Sequence, residues 1–443
     1  MTRRRKQKIP AEPIEAFIDN LSHEGRGVAR VDGKAVFVEG ALAGESVRFK
    51  YTRTKRRHAE GQVEDVLTAS ADRVEAACAH YAICGGCRLQ HLHPDQQIAH
   101  KQAVMLEQLT HIGQVTPEVV VEPLRSDVWG YRRKARLGVK YVAKKGRVLV
   151  GFREKHHPYI ADLDSCLVLH ERVGLLITPL SRLVEALSIR QALPQIEVAM
   201  GDDSVVLIFR ILAELTEQDQ QHLQQFAAEH DIAIYIQPGG LNTVVPLSGE
   251  PTPLFYTLPE DNIRIDFGPT DFTQVNLALN RKMVHQALDW LSLTETDRVL
   301  DLFCGVGNFT LPMSRRVGGV CGVEGDQALV DKAKANALAN GVAAEFYVAD
   351  LTQAFVGQAW MRDDYTKILL DPPRSGALEM IQQFPALNVE HIVYVSCNPA
   401  TLARDAQELV HQQGYRLVKV GVMDMFPHTA HVESMALFER GDG

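Results

Sequence analysis

The strongest constraint on the fold is the order of apolar and helical runs in the C-terminal part of the chain. From about Asp266 onward, apolar runs alternate with helical stretches such as QALVDKAKANALANG, which ends at a candidate C-capping glycine, Gly341. The apolar runs are RVLDLF, GVCGVE, EFYVAD, KILLD and HIVYVS. Strands that alternate with helices predict a parallel sheet with helices on both faces. Two later runs without a helix between them predict an antiparallel hairpin at the sheet edge.

A glycine-rich turn, DLFCGVGNFT, follows the first apolar run directly. Such turns bring backbone close to a nucleotide-like ligand at the carboxyl ends of parallel strands. Four successive strands end in acids, which are Asp301, Glu324, Asp350 and Asp371. Glu324 stands where an acid can accept hydrogen bonds from two ribose hydroxyls. The turn lacks the full G-x-G-x-x-G spacing and a Lys-Ser/Thr pair, so a cofactor with ribose and adenine but no pyrophosphate fits, namely S-adenosylmethionine. Packing against the turn's backbone amides explains Asp301 equally well.

The fifth apolar run ends in a cysteine in HIVYVSCNPATLARD. A lone cysteine in an apolar stretch is most often a small buried hydrophobe. At the rim where the acids lie, however, a neighbouring positive charge would favour the thiolate of Cys397, which is its nucleophilic form. Asn398 and Pro399 then predict a turn that holds the thiol out of the sheet.

The first part of the chain has a different pattern. Short strands broken by glycine run from about Ile14 to Leu67, with a hairpin signal at Asp32-Gly33, and predict a small closed barrel. The stretch RFKYTRTKRRH predicts a phosphate-binding face with Phe49 and Tyr51 as stacking groups, or a solvated charge run. The middle of the chain predicts a mixed α+β unit. Its basic stretch GYRRKARLGVKY could touch RNA or be a solvated face.

Composition excludes some classes of protein. A net charge of -8 argues against a protein that coats nucleic acid along its whole surface. The basic start MTRRRKQKIP has no apolar region behind it and no run approaches the ~20 apolar residues of a membrane span, so we expect a cytoplasmic protein without membrane contact. Seven cysteines are an odd number, which argues against a disulfide framework.

Four of the cysteines could form one metal site. Cys78, Cys84 and Cys87 have C-x5-C-x2-C spacing, and Cys166 is a fourth candidate. Four thiolates suit tetrahedral zinc or an iron-sulfur cluster, and the spacing alone does not decide between them. Unligated reduced cysteines are the alternative. The spacing differs from the C-x3-C-x2-C of radical enzymes that reduce S-adenosylmethionine at an open cluster. The remaining Cys304 and Cys321 are predicted core residues.

The whole chain resembles the RNA uracil-C5 methyltransferases that use S-adenosylmethionine. The resemblance rests on five motifs in the family's order, which are FTQVN, DLFCGVGNF, DPPRSG, SCNP and FPHTAHVES. It implies a Rossmann-like class I methyltransferase domain over residues 266–443. It further implies a TRAM-like, OB-like β-barrel over residues 10–69 and a central α+β domain with RNA contacts over residues 70–265.

The resemblance also implies roles for individual residues. Cys397 would add to C6 of uracil, and Glu433 would remove the C5 proton. The pKa of Glu433 need not be far from that of an ordinary Glu, because the adjacent carbonyl acidifies the C5 proton. By its sequence context alone, Glu433 could equally be a surface carboxylate. The residues implied to contact the cofactor or shape its pocket are Gln274, Phe303, Asn308, Glu324, Asp350 and Asp371. A subset of the family binds a 4Fe-4S cluster through this cysteine pattern, so Cys78, Cys84, Cys87 and Cys166 are its expected ligands.

Two features narrow the expected substrate. The DPP loop carries Arg374, whereas cytosine-C5 enzymes place their nucleophilic cysteine there, so uracil is preferred. A barrel combined with a cysteine cluster resembles the 23S rRNA uracil-1939 methyltransferases, which implies 23S rRNA as partner and a flipped uridine as target. No obligate protein partner is evident. Uracil 747 of 23S rRNA, transfer RNA and a non-catalytic RNA-binding role remain alternatives.

Overall fold

The computed structural model describes residues 12–353, 357–387 and 389–441. The basic start MTRRRKQKIP and the first two residues of the predicted 10–69 barrel lie outside the described residues. Within the described ranges, no helix combines the length and the apolar character needed to cross a bilayer.

The N-terminal unit is a six-stranded closed barrel, as predicted. Its strands are β1 Ile14–Phe17, β2 Asn20–Leu21, β3 Gly27–Val31, β4 Lys34–Glu39, β5 Ser46–Thr54 and β6 His58–Thr68. β1 pairs with β5, and β2, which continues the same stretch of chain, pairs with β3, so the sheet closes on itself. Asp32 and Gly33 have φ of 50° and 77° between β3 and β4, the two left-handed residues that a type I′ hairpin requires.

The middle of the chain builds a mixed α+β unit, also as predicted. α1 Pro94–Gln108 and β7 Val119–Val120 come first in this part of the chain and pack on the C-terminal unit. The elements that follow are β8 Lys134–Val142, β9 Arg147–Gly151, α2 Glu171–Gly174, α3 Ile177–Ala186, β10 Gln195–Met200, β11 Val205–Arg210, α4 Glu217–His230, β12 Ala233–Gln237, β13 Val245–Pro246, β14 Leu254–Leu258 and β15 Ile263–Phe267. Six strands form one sheet in the order β13-β12-β11-β10-β8-β9, and β14 pairs only with β15. Leu180 on α3 and Leu223 on α4 belong to the core of this sheet.

The C-terminal unit alternates strands and helices. Its elements are α5 Leu277–Leu291, β16 Arg298–Leu302, α6 Thr310–Met313, β17 Gly319–Glu324, α7 Gln327–Ala339, β18 Glu345–Val348, β19 Lys367–Leu370, α8 Leu378–Ile381, β20 His391–Ser396, α9 Pro399–Gln407, β21 Tyr415–Met423 and β22 Glu433–Arg440. The sheet order is β18-β17-β16-β19-β20-β22-β21-β7. The first five strands are parallel, and β22 is antiparallel to both of its neighbours. This order is the predicted Rossmann-like arrangement.

Both faces of this sheet are buried. Alternate residues of β16 point to opposite faces, so Val299 packs in one core and Leu300 in the other. All four residues of β19 are buried, which explains why the central strands have continuous apolar sequences. Gly341, with φ of 62°, follows the end of α7 as the sequence predicted.

Two elements differ from the sequence-based division of the chain. The predicted hairpin of β21 and β22 forms, but β7 pairs in parallel with β21 and is the edge strand instead. Helix α1 contributes Val104 and Met105 to the core beneath the C-terminal sheet. Residues 94–124, predicted as part of the central domain, therefore pack on the C-terminal unit. A short apolar run such as Val119–Val120 does not reveal its partner, because the pairing strand lies about 300 residues away in the chain.

Candidate active site

The glycine-rich turn after β16 surrounds the buried carboxyl group of Asp301. One carboxyl oxygen accepts a hydrogen bond from the hydroxyl of Thr310, and the other, also buried, has no partner among the described residues. Burial raises the pKa of Asp301 to about 8, and the charges of Asp371 and Glu324 add to the rise. A cationic ligand would supply the missing partner, so this carboxyl fits the ammonium or sulfonium group of S-adenosylmethionine.

Glu324 ends β17, the neighbour of β16, and faces the same turn. Its Oε2 accepts a hydrogen bond from the backbone N–H of Gly305 at 3.1 Å, and its Oε1 accepts one from Gly325 at 2.7 Å. These bonds fix the carboxylate beside the glycine-rich turn. A fixed acid at this strand end is what hydrogen bonding to two ribose hydroxyls requires.

Phe303 and Asn308 shape the turn itself. Phe303 has φ of 67°, in a region that few non-glycine residues adopt, and its N–H donates to the carbonyl of Val323 at 2.9 Å. The Asn308 amide exchanges two hydrogen bonds with Asn280 and accepts a third from the Tyr256 hydroxyl at 2.8 Å. Because the Asn308 amide is already hydrogen-bonded to other side chains, Asn308 is better suited to shape the pocket than to contact the cofactor directly.

Gln274 and Asp350 are two further residues expected in the cofactor pocket. Asp350 is exposed, and the hydroxyl and N–H of Thr352 donate to its carboxylate and lower its pKa. Gln274 is half-buried two residues before Asn276, whose side chain caps the start of α5. The cofactor contacts of Gln274 and Asp350 stay predictions.

Cys397 directly follows β20, at the carboxyl end of the sheet. The side chain of Asn398 caps α9 by accepting from Ala400 N–H, and its amide donates to the Arg374 carbonyl at 3.0 Å. Pro399 is the first residue of α9. The thiol is thus held in a turn outside the sheet, as the sequence predicted, and it lines an open groove with Arg374 and His431.

Glu433 is the first residue of β22 and comes next to Cys397 through strand pairing. Ser396 pairs with Ser434 at the end of the antiparallel ladder of β20 and β22, so Cys397 and Glu433 both adjoin this last pair, close enough for the charge of Glu433 to raise the pKa of the Cys397 thiol. Asp371, which follows β19, is the third member of the group. The predicted nucleophile and base therefore meet at one edge of the sheet, although they are far apart in sequence.

The ionisation of this group is strongly perturbed. Burial raises the pKa of Cys397 to about 11, with further increases from Glu433 and Asp371, while the positive charge of Arg374 lowers it. Burial raises the pKa of Asp371 to about 7. Burial and the charge of Asp371 raise the pKa of Glu433 well above its ordinary value. The expectation of an ordinary Glu433 pKa was wrong, because the sequence does not show that this carboxyl is enclosed beside another acid.

The four cysteines Cys78, Cys84, Cys87 and Cys166 line one cavity between the segment after the barrel and the central sheet. None of them is in a disulfide. Burial raises the pKa of Cys84 to about 11 and of Cys87 to about 12, and neighbouring cysteine sulfurs add to both shifts. In the described part of the chain, no group of three or more His, Cys, Asp or Glu side chains could hold a single metal ion. The thiols share a cavity, but not the geometry of a one-ion site.

The basic stretch RFKYTRTKRRH is partly neutralised by the adjacent strand. Arg48 pairs with Asp65, Lys50 with Glu64 and Lys55 with Glu60. Phe49 is fully buried in the barrel core, so its predicted role as a stacking group is wrong. The remaining basic residues of this stretch, Arg53, Arg56 and Arg57, are exposed and have no ion-pair partner among the described residues.

The second basic stretch, GYRRKARLGVKY, is mainly structural. Tyr131 is 6% exposed, and its hydroxyl donates to the carbonyl of Pro427. Arg133 donates to the carbonyl of Gly201, and Arg136 pairs with Glu197. The Tyr131 contact joins the central unit to the C-terminal unit, whereas Arg133 and Arg136 bind partners on or directly after β10 of the same central sheet.

Sequence reasoning missed several residues of the site. His23 of the barrel, Gln108 at the end of α1 and His431 all line the groove that contains Cys397. Lys101 is buried beneath the loop that precedes Glu433. A lysine on the apolar face formed by Ile98, Val104 and Met105 was a signal that could have identified it.

Comparisons with known proteins agree with this geometry. Residues 94–441 match the model of a family described as tRNA (uracil-5-)-methyltransferase, and residues 12–63 match the TRAM domain. Two relatives, from Alkalilimnicola ehrlichii and Methylococcus capsulatus, are 54% and 52% identical over 440 residues, 99% of each chain. Both are named 23S rRNA (uracil(1939)-C(5))-methyltransferase RlmD. The crystal structure of Pyrococcus abyssi tRNA (uracil-54, C5)-methyltransferase with S-adenosyl-L-homocysteine aligns with a TM-score of 0.73 and 25% identity, covering 96% of this chain and 99% of that one.

Proposed function

The chain belongs to the tRNA (uracil-5-)-methyltransferase family, and from this premise we propose that it methylates C5 of uridine 1939 in 23S rRNA, giving 5-methyluridine. The methyl donor is S-adenosylmethionine. The observation that carries the chemistry is the position of Cys397 close to Glu433 and Asp371, at the edge of the sheet where the glycine-rich turn also lies. A cytoplasmic location follows from an rRNA substrate.

Cys397 starts the reaction as a thiolate. Its sulfur forms a bond to C6 of the flipped uracil, and the C5=C6 electron pair moves into an enolate with carbanion character at C5. Bound S-adenosylmethionine supplies the methyl group from its sulfonium, so C5 gains a methyl and the donor leaves as a neutral thioether. Because the pKa of Cys397 is raised to about 11 in the free protein, nearby positive charge must favour the thiolate. Arg374 supplies part of that charge.

Glu433 completes the reaction as a base. Its carboxylate takes the proton from C5, the electrons of that C–H bond restore the C5=C6 double bond, and the S–C6 bond breaks to release Cys397 as a thiolate. The raised pKa of Glu433 suits a group that must accept a proton. The positive charges of Arg374 and Lys101 lower that pKa and so favour the carboxylate needed at the start of the step.

The choice of uridine 1939 is supported by the relatives named for that nucleotide and by the TRAM match at residues 12–63. The exposed, unpaired Arg56 and Arg57 at the turn between β5 and β6 would contact phosphates of the RNA. His23 extends from the same barrel to the groove with Cys397. The barrel is therefore suited to hold RNA that flanks the target base. No obligate protein partner is part of the proposal.

We further propose that Cys78, Cys84, Cys87 and Cys166 hold a 4Fe-4S cluster. The support is the donor set, because four free thiols around one cavity match the ligands of such a cluster. Four thiolates around one cavity supply the ligand set that a cubane with four iron atoms requires. An added side chain at Gly85 would approach the carbonyl oxygen of Arg153 to 2.9 Å, so the turn requires glycine.

The cluster is tested on anaerobically purified protein. We expect a brown protein that has the visible absorbance of iron-sulfur centres and contains about four iron and four sulfide ions per chain. Cys84→Ser should lower the iron content while Cys304→Ser, at a buried cysteine outside the cavity, should leave it unchanged. A colourless protein containing one zinc would contradict this proposal.

The function is tested by incubating the protein with unmodified 23S rRNA and S-adenosylmethionine labelled in its methyl group, followed by mapping of the labelled nucleotide. We expect one labelled uridine, at position 1939, and no label with Cys397→Ala. Label at uridine 747 or in transfer RNA alone would overturn the substrate. Label that survives Cys397→Ala would overturn the thiol mechanism, and RNA binding without any label would favour a non-catalytic role.

A further inference from the structure

The loop that delivers Glu433 is buried, although it connects two strands at the sheet edge. It consists of residues 424–432, between β21 and β22. Its polar side chains Asp424 and His428 are only 5% and 2% exposed. A buried polar loop needs hydrogen-bond partners from elsewhere in the molecule. The origin of those partners indicates what determines the position of Glu433.

Lys101 on α1 is the first partner. Its side chain is 1% exposed, and its Nζ donates to Oδ1 of Asp424 at 2.7 Å and to the carbonyl of Phe426 at 2.9 Å. The ammonium group thus joins two points of the loop. Removal of one partner of a buried ion pair is costly, so the contact of Lys101 with Asp424 restricts the loop strongly.

Gln97 is the second partner, one helical turn before Lys101 on the same face of α1. Its Oε1 accepts from the N–H of His428 at 2.8 Å. Its Nε2 donates to the carbonyl of Leu92 at 2.8 Å and to that of Leu89 at 3.0 Å. Gln97 therefore holds the loop against the segment that follows the cysteine cluster.

His428 has a backbone conformation that the loop cannot keep by itself. Its φ is 65°, and such conformations of non-glycine residues persist only where the surroundings enforce them. The N–H groups of Arg88 and Leu89 donate to the His428 carbonyl at 2.8 and 3.0 Å. Trp129 stacks on its ring with centroids 3.9 Å apart. All of these contacts come from residues that precede the C-terminal unit in the chain.

We infer that Lys101 and Gln97 are positioning residues for the proton-removal step, which place Glu433 by holding the buried loop 424–432. Neither side chain reaches the reacting atoms. The inference rests on the proposed function, because it assigns a role within that reaction. Two parts of the reaction are thereby separated, which are addition of Cys397 with methyl transfer, and removal of the C5 proton by Glu433. Cys397 is held by β20 and by Asn398, whereas Glu433, which begins β22 and pairs with Met423, directly follows a loop that α1 holds.

The consequence is specific to one reaction step. If Glu433 is displaced, addition of Cys397 and methyl transfer continue, but the C5 proton stays in place and the S–C6 bond cannot break. The methylated RNA then remains covalently attached to the enzyme. A general base contributes roughly 10²–10⁴-fold, and a small misplacement can cost about 10²-fold. We expect turnover of the positioning variants to fall by roughly tenfold to a hundredfold.

The variants are Lys101→Gln and Gln97→Met, with Gln96→Met as the matched control, because Gln96 is the exposed neighbour on the same helix. Each protein is first compared with wild type by its thermal unfolding. Steady-state turnover on a uridine-containing 23S rRNA fragment and the fraction of enzyme linked to RNA on a denaturing gel are then measured. We expect lower turnover with accumulated adduct for the two positioning variants, as for Glu433→Gln, and wild-type behaviour for Gln96→Met.

A second substrate isolates the earlier steps. In RNA that carries 5-fluorouridine, C5 has no proton to remove, so adduct formation requires only Cys397 addition and methyl transfer. The rate of this adduct formation should stay within about twofold of wild type for both variants. An equal loss of adduct formation and turnover, or unchanged turnover, overturns the inference. If Lys101→Gln does not fold, Gln97→Met decides alone. Failure of wild type to form any adduct would instead contradict the proposed function.

Discussion

The carboxyl groups at the strand ends determine how ionisation of the active site changes when a cationic ligand binds. Asp301 and Asp371 both have a raised pKa, primarily because burial removes water from them. The Glu433 carboxyl belongs to the same group, and its pKa is raised by burial and by Asp371. A cationic methyl donor between such acids stabilises their ionised forms. In the free protein these carboxyl groups therefore keep their protons to a higher pH, and binding of the cationic methyl donor favours their ionised forms.

Replacement of Asp301 tests this directly. The folded protein holds a proton on Asp301 up to about pH 8, whereas the unfolded chain releases it near pH 4, so the carboxyl destabilises the ligand-free fold increasingly as pH rises between these values. We expect Asp301→Asn to unfold at a higher temperature than wild type at pH 8.5, with a smaller difference at pH 5. Calorimetry should also show weaker binding of S-adenosylmethionine by Asp301→Asn. An equal stability difference at both pH values would contradict the raised pKa.

Glu433→Gln tests the base. The amide keeps the size of the side chain but cannot take the C5 proton, so turnover should fall by roughly 10²-fold or more. The enzyme should accumulate as a methylated RNA adduct, visible as a slower band on a denaturing gel. Cys397→Ala should give no adduct at all. Free methylated RNA at the wild-type rate would show that another group removes the proton.

At the scale of elements, the pairing of β5 with β6 decides which basic side chains are available. The acids of β6 neutralise Arg48 and Lys50 across the ladder, although β5 by itself contains almost no acid. The turn that joins the two strands places Arg56 and Arg57 beyond the reach of these acids. The RNA contact of the barrel is thus expected at the turn and the adjoining end of β5, where Arg53 is also exposed, and not at the paired Arg48 and Lys50.

Charge removal at this turn should weaken RNA binding in a salt-dependent way. Each phosphate contact contributes roughly 0.7–0.9 to the slope of log affinity against log salt. We expect the double variant Arg56→Gln and Arg57→Gln to lower that slope by about 1.5 in a fluorescence-anisotropy titration of an rRNA fragment. Arg48→Gln is the matched control, because its charge is paired with Asp65. An equal effect of the control would place the contact along the strand.

At the scale of the whole molecule, the barrel, α1 and the C-terminal sheet meet around the catalytic groove. The barrel contributes His23, α1 contributes Gln108, and the C-terminal sheet contributes Cys397. The central sheet is attached to the C-terminal unit by Asp202, which accepts hydrogen bonds from Thr257 at 2.8 and 2.9 Å and from Arg281 on α5 at 3.2 Å.

Asp202→Ala should therefore destabilise the assembly without changing the chemistry. The substitution leaves Arg133 and Arg281 half-buried near each other without their shared acid, and the loss of hydrogen bonds to a charged group costs roughly 1.5–3 kcal/mol. We expect a lower unfolding temperature by calorimetry, with turnover at low temperature near that of wild type. Asp203→Ala, at the exposed neighbouring acid, should change stability by no more than about 0.5 kcal/mol.

The sequence by itself determined the features that depend on residues close together in the chain. Alternating strands and helices specified the parallel sheet, and Asp32-Gly33 specified a hairpin, because turn geometry and period are local properties. The acids and Cys397 stood at strand ends, and parallel strands bring such ends to a common edge. The motifs were sufficient to indicate the family.

Only the tertiary structure decided which distant groups become partners. The pairing of β20 with β22 brought Glu433 close to Cys397, and the acids of β6 neutralised β5. Burial of Phe49 and the contact of Lys101 with the last loop were equally invisible in the local sequence. The physical reason is that burial and Coulomb interaction depend on distance in space, which strand register and helix packing determine, and not on separation along the chain.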